Sequence, residues 1–117
     1  MEIETKYPSP SGRYVFQIVA WEARMSLWIE SFTLVEAATR APVMLLQDDN
    51  WSVDSAEWLG DSVVKMRLRK YPGNHTPSQV EVSVDCEGRT AEVQGGVRMP
   101  LAQLEHTLDR TLSWRKG

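Results

Sequence analysis

The chain has 117 residues, of which 42% are hydrophobic and 25% are charged, a composition typical of one ordinary globular domain. No stretch approaches the roughly 20 consecutive apolar residues of a membrane-spanning helix, so a transmembrane protein is not expected. The single cysteine, Cys86, excludes an internal disulfide and a Cys₂ or Cys₄ metal site, and the net charge of −3 does not favour a nucleic-acid partner.

The first half of the chain predicts short strands separated by turns. Residues 14–20 carry apolar side chains in both alternating phases, which is typical of a strand covered on both faces. Residues 8–12 and 48–50 are rich in Pro, Ser, Gly, Asp and Asn, so both predict turns. The strands expected in this half are 3–7, 14–20, 27–35, 42–47 and 51–59.

The second half shows the clearest two-residue period. Residues 61–71 alternate apolar with charged side chains, and residues 79–86 alternate valine with polar side chains, so each predicts a strand with one buried face. Glu87 and Gly88 predict a tight turn into a last strand over 89–94. The sequence therefore predicts a mainly β protein, an antiparallel meander of about eight strands that forms a barrel or a sandwich.

One segment breaks this period. After Pro100, a residue favoured in the first turn of a helix, leucines recur at helical spacing at Leu101, Leu104, Leu108 and Leu112. We therefore expect one C-terminal amphipathic α-helix over residues 100–114 that packs against the sheet. The β-meander of residues 1–96 and this helix are expected to form a single domain over residues 1–117.

Few side chains point to a catalytic centre. His75 lies in a loop rich in proline and glycine, and His106 lies on the polar side of the predicted helix, so both are expected at the solvated surface. Cys86 falls in the buried phase of its strand, where burial suppresses the reactivity of a thiol. The sequence therefore predicts no catalytic residue and favours a protein that is not an enzyme.

Two segments are rich enough in charged residues to suggest a binding site, but neither is supported by the rest of the sequence. The acids of residues 48–54 lack the ligand spacing, the turn glycine and the distal glutamate of a calcium loop, so no metal and no cofactor are expected. The bases of residues 65–70 precede Tyr71 and could follow a nucleic-acid backbone, but the acidic balance of the domain opposes this.

Five tryptophans are the most unusual feature of the composition, and three of them are expected in the core. Trp28 shares a strand phase with Glu30, which predicts an exposed aromatic side chain beside carboxylates. That combination is typical of an interface with a basic protein. The residues predicted to contact such a partner are Trp28, Glu30, Asp48, Asp49, Trp51, Asp54 and Glu57.

Charge is unevenly distributed along the chain. Residues 1–62 contain ten acids and four bases, a net charge of −6, whereas residues 63–117 contain six acids and nine bases, a net charge of +3. Either these charges pair across the folded sheet, or the first half presents an acidic face to a basic partner.

The segments 24–30, 48–54 and 67–74 resemble those of small bacterial proteins that are similar in type to the immunity proteins of polymorphic and contact-dependent toxin systems. The resemblance implies a cytoplasmic, acidic, non-catalytic domain that binds a cognate toxin domain, commonly a basic nuclease, and blocks its active site. A cytoplasmic location is also favoured by residues 1–6, which lack the basic and apolar regions of a secretory signal.

Two alternative functions remain open from the sequence. The first is a small β-barrel that binds an apolar ligand among its tryptophans, with the helix as a lid. The second is an enzyme that uses two carboxylates, drawn from Glu22, Glu30, Asp54 and Glu57. The oligomeric state is not predicted.

Overall fold

A computed structural model describes residues 3–25, 27–73 and 75–114. Within them the chain forms eleven β-strands, a 3₁₀ turn over Leu101–Gln103 and one α-helix, α1 (Leu104–Thr111). The strands are β1 (Ile3–Lys6), β2 (Tyr14–Arg24), β3 (Leu27–Glu36), β4 (Pro42–Leu45), β5 (Trp51–Trp58), β6 (Val63–Lys70), β7 (His75–Thr76), β8 (Val80–Asp85), β9 (Thr90–Val93), β10 (Met99–Pro100) and β11 (Ser113–Trp114).

The predicted antiparallel meander is confirmed. Nine strands form one sheet in the order β1-β2-β3-β5-β6-β8-β9-β10, with β4 paired to β3, and all of these pairs are antiparallel. The sheet is not closed, so of the two predicted forms the barrel is wrong. β7 and β11 form a separate two-stranded sheet beside it.

β3 is the junction at which the sheet divides. One edge of β3 pairs with β2 along most of its length, whereas the other pairs with β4 from Thr33 onwards and with β5 at the single position Ser31–Ser52. The shortest dimension of the molecule is 20 Å. That thickness fits two stacked layers about 10 Å apart, with the core between them.

The core is built from alternate side chains, as the two-residue period predicts. Buried residues from both halves of the chain form one hydrophobic cluster, which includes Phe16, Leu34, Met66 and Val82. Tyr14 on β2 stacks on Trp58 of β5 with ring centroids 6.1 Å apart. The indole Nε1 of Trp58 donates a hydrogen bond of 2.8 Å to the carbonyl oxygen of Tyr7. These aromatic contacts hold β2 and the segment after β1 against β5.

The predicted helix over residues 100–114 is too long at both ends. Pro100 belongs to β10 with an extended backbone, ψ 145°, and Leu112 is also extended, with ψ 135°. Leu104, Leu108 and Leu112 are nevertheless buried and Leu101 is partly buried, since Leu112 packs on the core from an extended segment after the helix has ended. A leucine repeat therefore predicts which side chains are buried, but it does not predict the residue at which the helix ends.

The helix is fastened to the sheet by polar contacts. The carboxylate of Glu105 accepts hydrogen bonds from the backbone N–H groups of Gln47 and Asp48, at 2.7 and 2.9 Å. The ammonium group of Lys70 lies 2.8 Å from a carboxylate oxygen of Asp109. The end of β6 and the loop after β4 are therefore tied to the same face of α1.

The prediction that His75 is a solvated surface residue is wrong. His75 is 1% exposed and begins the short strand β7, which pairs with β11. Its Nδ1 lies 2.6 Å from the carbonyl oxygen of Pro77 and its Nε2 lies 2.9 Å from that of Lys70. The imidazole ring thus ties the loop after β6 to the end of that strand. His106 is exposed on α1, as expected.

In the described part of the chain, no helix combines the length and the hydropathy that crossing a membrane would require.

Candidate functional site

The β2–β3 hairpin extends beyond the rest of the sheet. Among the described residues, the pairing of β1 with β2 ends at Ile3–Val19, and β5 meets β3 only at Ser31. The distal parts of the two strands, residues 20–24 and 27–30, are therefore paired to each other and flanked by no third described strand. We call this segment, residues 20–30, the ribbon; Ser26 within it lies outside the described residues.

The tip of the ribbon presents apolar side chains to solvent. Met25 is 91% exposed and Leu27 is also exposed. The backbone of Met25 has φ +44°, a left-handed conformation that is unfavourable for a methionine and is normally occupied by Asn or Gly in a tight hairpin turn. Exposed apolar groups on a strained turn are more typical of a contact surface than of a solvated loop.

Trp28 is the largest exposed hydrophobic side chain described, at 58%. It shares the alternating phase of Phe32 and Leu34, which are buried. The core ends near Phe32, so the same face of β3 is covered at one end and open at the other. The predicted exposure of Trp28 beside Glu30 is confirmed.

Two carboxylates neighbour Trp28 in the sheet, and a third is linked to them through Lys6. Glu22 lies directly opposite Trp28 in the β2–β3 register, and Glu30 lies two residues further along β3; both are exposed. Lys6 Nζ is 3.8 Å from a carboxylate oxygen of Glu30 and 3.8 Å from one of Glu4, so one ammonium group serves two acids. These four residues, Trp28, Glu22, Glu30 and Glu4, form what we call the Trp28 surface.

A groove of about 600 Å³ opens beside the ribbon. The groove is lined by the β3 segment 27–30, the β5 segment 52–54, residues 69–73, Ser78, and Lys6 and Tyr7 at the end of β1. The groove exists because β3 and β5 diverge. The β5–β6 register shifts between Val53 and Ser55, which marks an irregularity of the β-bulge type at Asp54. A bulge bends its own strand, and here the bend separates β5 from β3.

The charged side chains of the groove are paired with one another. Asp54 lies 3.3 Å from the guanidinium of Arg69, and it accepts a hydrogen bond of 2.6 Å from the side chain of Gln79. Glu30 is paired with Lys6 on the opposite wall. The groove is therefore nearly neutral and is walled by aromatic groups, with Trp28 on one side and Tyr71 at the end.

Three other predicted contact residues line a different pocket. Asp48, Asp49 and Trp51 border a cavity of about 300 Å³ together with Trp21 and Ser31. The indole Nε1 of Trp21 donates to Ser31 Oγ at 2.7 Å, and that hydroxyl donates to the carbonyl oxygen of Asp49 at 2.7 Å. This chain of hydrogen bonds fixes the loop before β5 against the ribbon.

Trp51 is 1% exposed and so offers no surface to a partner, contrary to its predicted role. Its ring packs beneath the ammonium group of Lys70, with Nζ 5.5 Å from the ring centroid. The same group lies 2.9 Å from Asp48. Desolvation acts to raise the pKa of Asp48, but the Asn50 N–H and Lys70 outweigh it and leave that pKa lowered. Asp48 is therefore committed to an internal ion pair, while Asp49 stays exposed.

The seven predicted contact residues thus fall into three places. Trp28, Glu30 and Asp54 come together at the groove; Asp48, Asp49 and Trp51 line the smaller pocket; Glu57 lies further along β5, exposed, opposite Lys65. Tyr71 and Arg69 at the groove were not predicted as contact residues. The sequence marked them only as part of a basic segment that could follow a nucleic-acid backbone, and they reach the groove through the pairing of β5 with β6.

The uneven charge of the two halves is partly compensated by ion pairs. Asp48–Lys70, Asp54–Arg69 and Arg13–Glu87 each join an acid and a base from different halves, with oxygen–nitrogen distances of 2.9, 3.3 and 2.9 Å. Exposed carboxylates on or near the ribbon include Glu4, Glu22 and Glu30, whereas Glu57, Glu87 and Asp109 are exposed elsewhere.

Two observations bear on reactive groups. Burial is the main cause that raises the pKa of the Cys86 thiol to about 12, which confirms its predicted place in the core. Within residues 3–25, 27–73 and 75–114, no three His, Cys, Asp or Glu side chains are grouped closely enough to hold a metal ion.

Comparison of the chain with protein-family models, with curated proteins and with solved structures finds no match.

Proposed function

We propose that the protein is a non-enzymatic protein-binding domain that recognises a basic protein partner through the Trp28 surface, as an immunity protein recognises a nuclease-type toxin. The observation that carries the proposal is Trp28 itself, a tryptophan 58% exposed on a projecting ribbon and bordered by carboxylates. Tryptophan is enriched among the residues that dominate binding energy, and a surrounding ring of polar groups is usual at such positions.

The charge distribution supports a basic partner. Three carboxylates and one ammonium group lie at or near Trp28, and the first half of the chain, which contributes all four, carries a net charge of −6. Opposite charge accelerates the encounter of two proteins and disfavours acidic competitors. A nuclease domain, whose substrate is a polyanion, has a surface of the required sign.

The proposal includes a cytoplasmic location, where a toxin acting on nucleic acid would be neutralised. The single buried cysteine supports a reducing compartment, because the protein has no disulfide to maintain.

The alternative functions receive less support. A barrel that encloses an apolar ligand requires a closed sheet, whereas this sheet is open and both cavities are surface clefts. For a carboxylate enzyme, Asp54 and Glu30 would be the acids nearest a groove, and each has its own basic partner. Paired acids and bases around an exposed aromatic group favour recognition over acid–base chemistry.

The test is affinity capture from the native host, followed by measurement of the dissociation constant and the association rate with the captured protein. The wild type is expected to enrich a basic protein, and Trp28→Ala is expected to weaken its binding by about 30-fold, the size of a typical interface hot spot. The double variant Glu22→Lys/Glu30→Lys is expected to slow association by about tenfold or more at low salt, with the difference shrinking as salt is added.

Glu36→Lys is the matched control, since Glu36 lies at the other end of β3, away from the ribbon. It changes the net charge in the same direction and is expected to leave the dissociation constant within about twofold of wild type. Equal binding by the wild type and both ribbon variants would refute the proposal, as would capture of acidic proteins alone.

A further inference from the structure

We propose that the groove between β3 and β5 receives one extended polypeptide segment, which pairs with the open edge of β3 as an added strand. The proposal rests on the protein-binding function above, and it specifies the part of the partner that enters and the backbone that holds it. The observation behind it is the divergence of the two strands after the single pair Ser31–Ser52.

The wall formed by residues 27–30 is a strand edge that no described strand occupies. β3 continues as a regular strand through these residues, and they pair with β2 on the other edge. In an antiparallel strand every second residue directs its N–H and C=O groups to a given edge. An edge of this kind binds extended backbone through main-chain hydrogen bonds.

The dimensions fit a single segment. Four strand residues span about 13 Å at roughly 3.3 Å per residue. The cavity volume of about 600 Å³ is within the range of sites that hold a ligand of a few residues. Residues 52–54 and 71–73, together with Lys6 and Tyr7, line the same groove as this edge, so an occupant is contacted from several parts of the chain. These walls favour a lone segment over a second copy of this chain.

The charges define the chemistry of the segment. Within the groove Lys6 neutralises Glu30, at 3.8 Å, and Arg69 neutralises Asp54, at 3.3 Å. A charged side chain placed there would have to displace one of these pairs. The complementary occupant is therefore an uncharged extended segment with apolar side chains for Trp28 and Tyr71, while the basic surface of the partner faces the carboxylates outside.

A synthetic peptide tests the mode of binding without a known partner. The probe is a capped hexapeptide of alternating threonine and valine, titrated into the full chain and followed by amide resonances. We expect shifts at residues 27–30 and 52–54. Two further versions carry N-methyl groups on one backbone edge or on the other. One of them is expected to bind at least about tenfold more weakly than the parent peptide, because it cannot donate to β3.

Ser78→Arg and Ser55→Arg form a matched pair of variants. Both serines are exposed, but Ser78 lines the groove and Ser55 does not. Ser78→Arg is expected to weaken peptide binding by about tenfold, and Ser55→Arg is expected to leave it unchanged.

Three results would overturn strand addition: shifts confined to residues outside the groove, equal binding of both N-methylated peptides and the parent, or a dimer of the free chain that itself slows amide exchange at residues 27–30. If the peptide fails while Trp28→Ala still abolishes capture of a basic partner, the proposed function stands and the added strand falls. If the peptide binds and no ribbon variant affects capture, the added strand stands and the proposed function is refuted.

Discussion

Replacement of Lys70 by methionine is the sharpest test of how the helix is held to the sheet. The ammonium group of Lys70 lies 2.9 Å from Asp48 and 2.8 Å from Asp109, and only 13% of its side chain is exposed. Each charge-assisted contact to a partly exposed carboxylate contributes about 0.8 kcal/mol, and the contact with the Trp51 ring adds about 0.5 kcal/mol. Lys70→Met keeps the aliphatic stem, so we expect a loss of about 2 kcal/mol in the free energy of unfolding.

The assay is urea denaturation followed by tryptophan fluorescence. For a domain of this size the dependence on urea is about 2 kcal/mol per molar, so the midpoint is expected to fall by about 1 M. Lys65→Met is the matched control, because Lys65 lies on the same strand and pairs with Glu81 at 3.3 Å, with 43% of its side chain exposed. Its loss is expected to stay below about 0.5 kcal/mol. Equal midpoints for the two variants would refute the argument.

The same variant predicts a pH dependence. Desolvation acts to lower the pKa of Lys70, but hydrogen bonds to Asp109 and Asp48 outweigh it and leave that pKa raised. A raised pKa in the folded state means that the stabilisation is complete below the unfolded value of about 10.4 and is lost as pH rises through the folded value. The difference in stability between wild type and Lys70→Met should therefore be constant near neutral pH and shrink above about pH 10.4. A stability difference between wild type and Lys70→Met that stays constant at higher pH would contradict this prediction.

Three further predictions address other parts of the fold. Glu105→Ala removes the acceptor of two backbone N–H groups and should lower the free energy of unfolding by about 1 to 2 kcal/mol, whereas Glu105→Gln, which keeps one acceptor, should lose less in the same urea titration. Cys86 should resist a thiol-specific disulfide reagent in the native protein and react at once in urea, since its pKa is about 12 and its side chain is buried; fast labelling of the native protein would contradict this. Met25→Asn should raise the free energy of unfolding by about 0.5 kcal/mol or less, because asparagine tolerates the left-handed backbone and the methionine side chain is 91% exposed; a loss of stability would show that Met25 does pack.

The strands could be predicted from sequence wherever they were long enough to show a period. Each of the eight predicted segments coincides with a strand, from β1 at residue 3 to β9 at residue 93. The strands that were missed, β7, β10 and β11, have two residues each. Two residues cannot display alternation, and these pairs form because larger elements bring them together. His75 was misplaced for this reason, since it lies in β7, which pairs with β11.

The candidate site could be predicted only in part, because alternation identifies the face of a strand and not the point at which the core ends. Trp28 and Leu34 occupy the same phase of β3, yet the first is open to solvent and the second is fully buried. Trp51 was predicted to contact a partner together with Asp48, Asp49 and Asp54, which lie near it in sequence. The ion pair of one of those acids, Asp48, with Lys70 instead holds a cation over the buried ring. The sequence identifies where acidic side chains are concentrated, but whether each one faces solvent or an internal cation depends on tertiary contacts.

The groove follows from an irregularity that carries no signal in the sequence. Bulges are often marked by glycine, but here the shift falls at Asp54 among Val53 and Ser55, residues that also suit a regular strand. Had β5 continued straight, it would have paired with β3 along the ribbon and covered residues 27–30. The departure of β5 therefore leaves main-chain hydrogen-bonding groups of β3 without a described strand partner, next to the end of the core at which Trp28 is exposed. Because the exposed tryptophan and the open strand edge lie at the same place, a partner that contacts one is expected to engage the other.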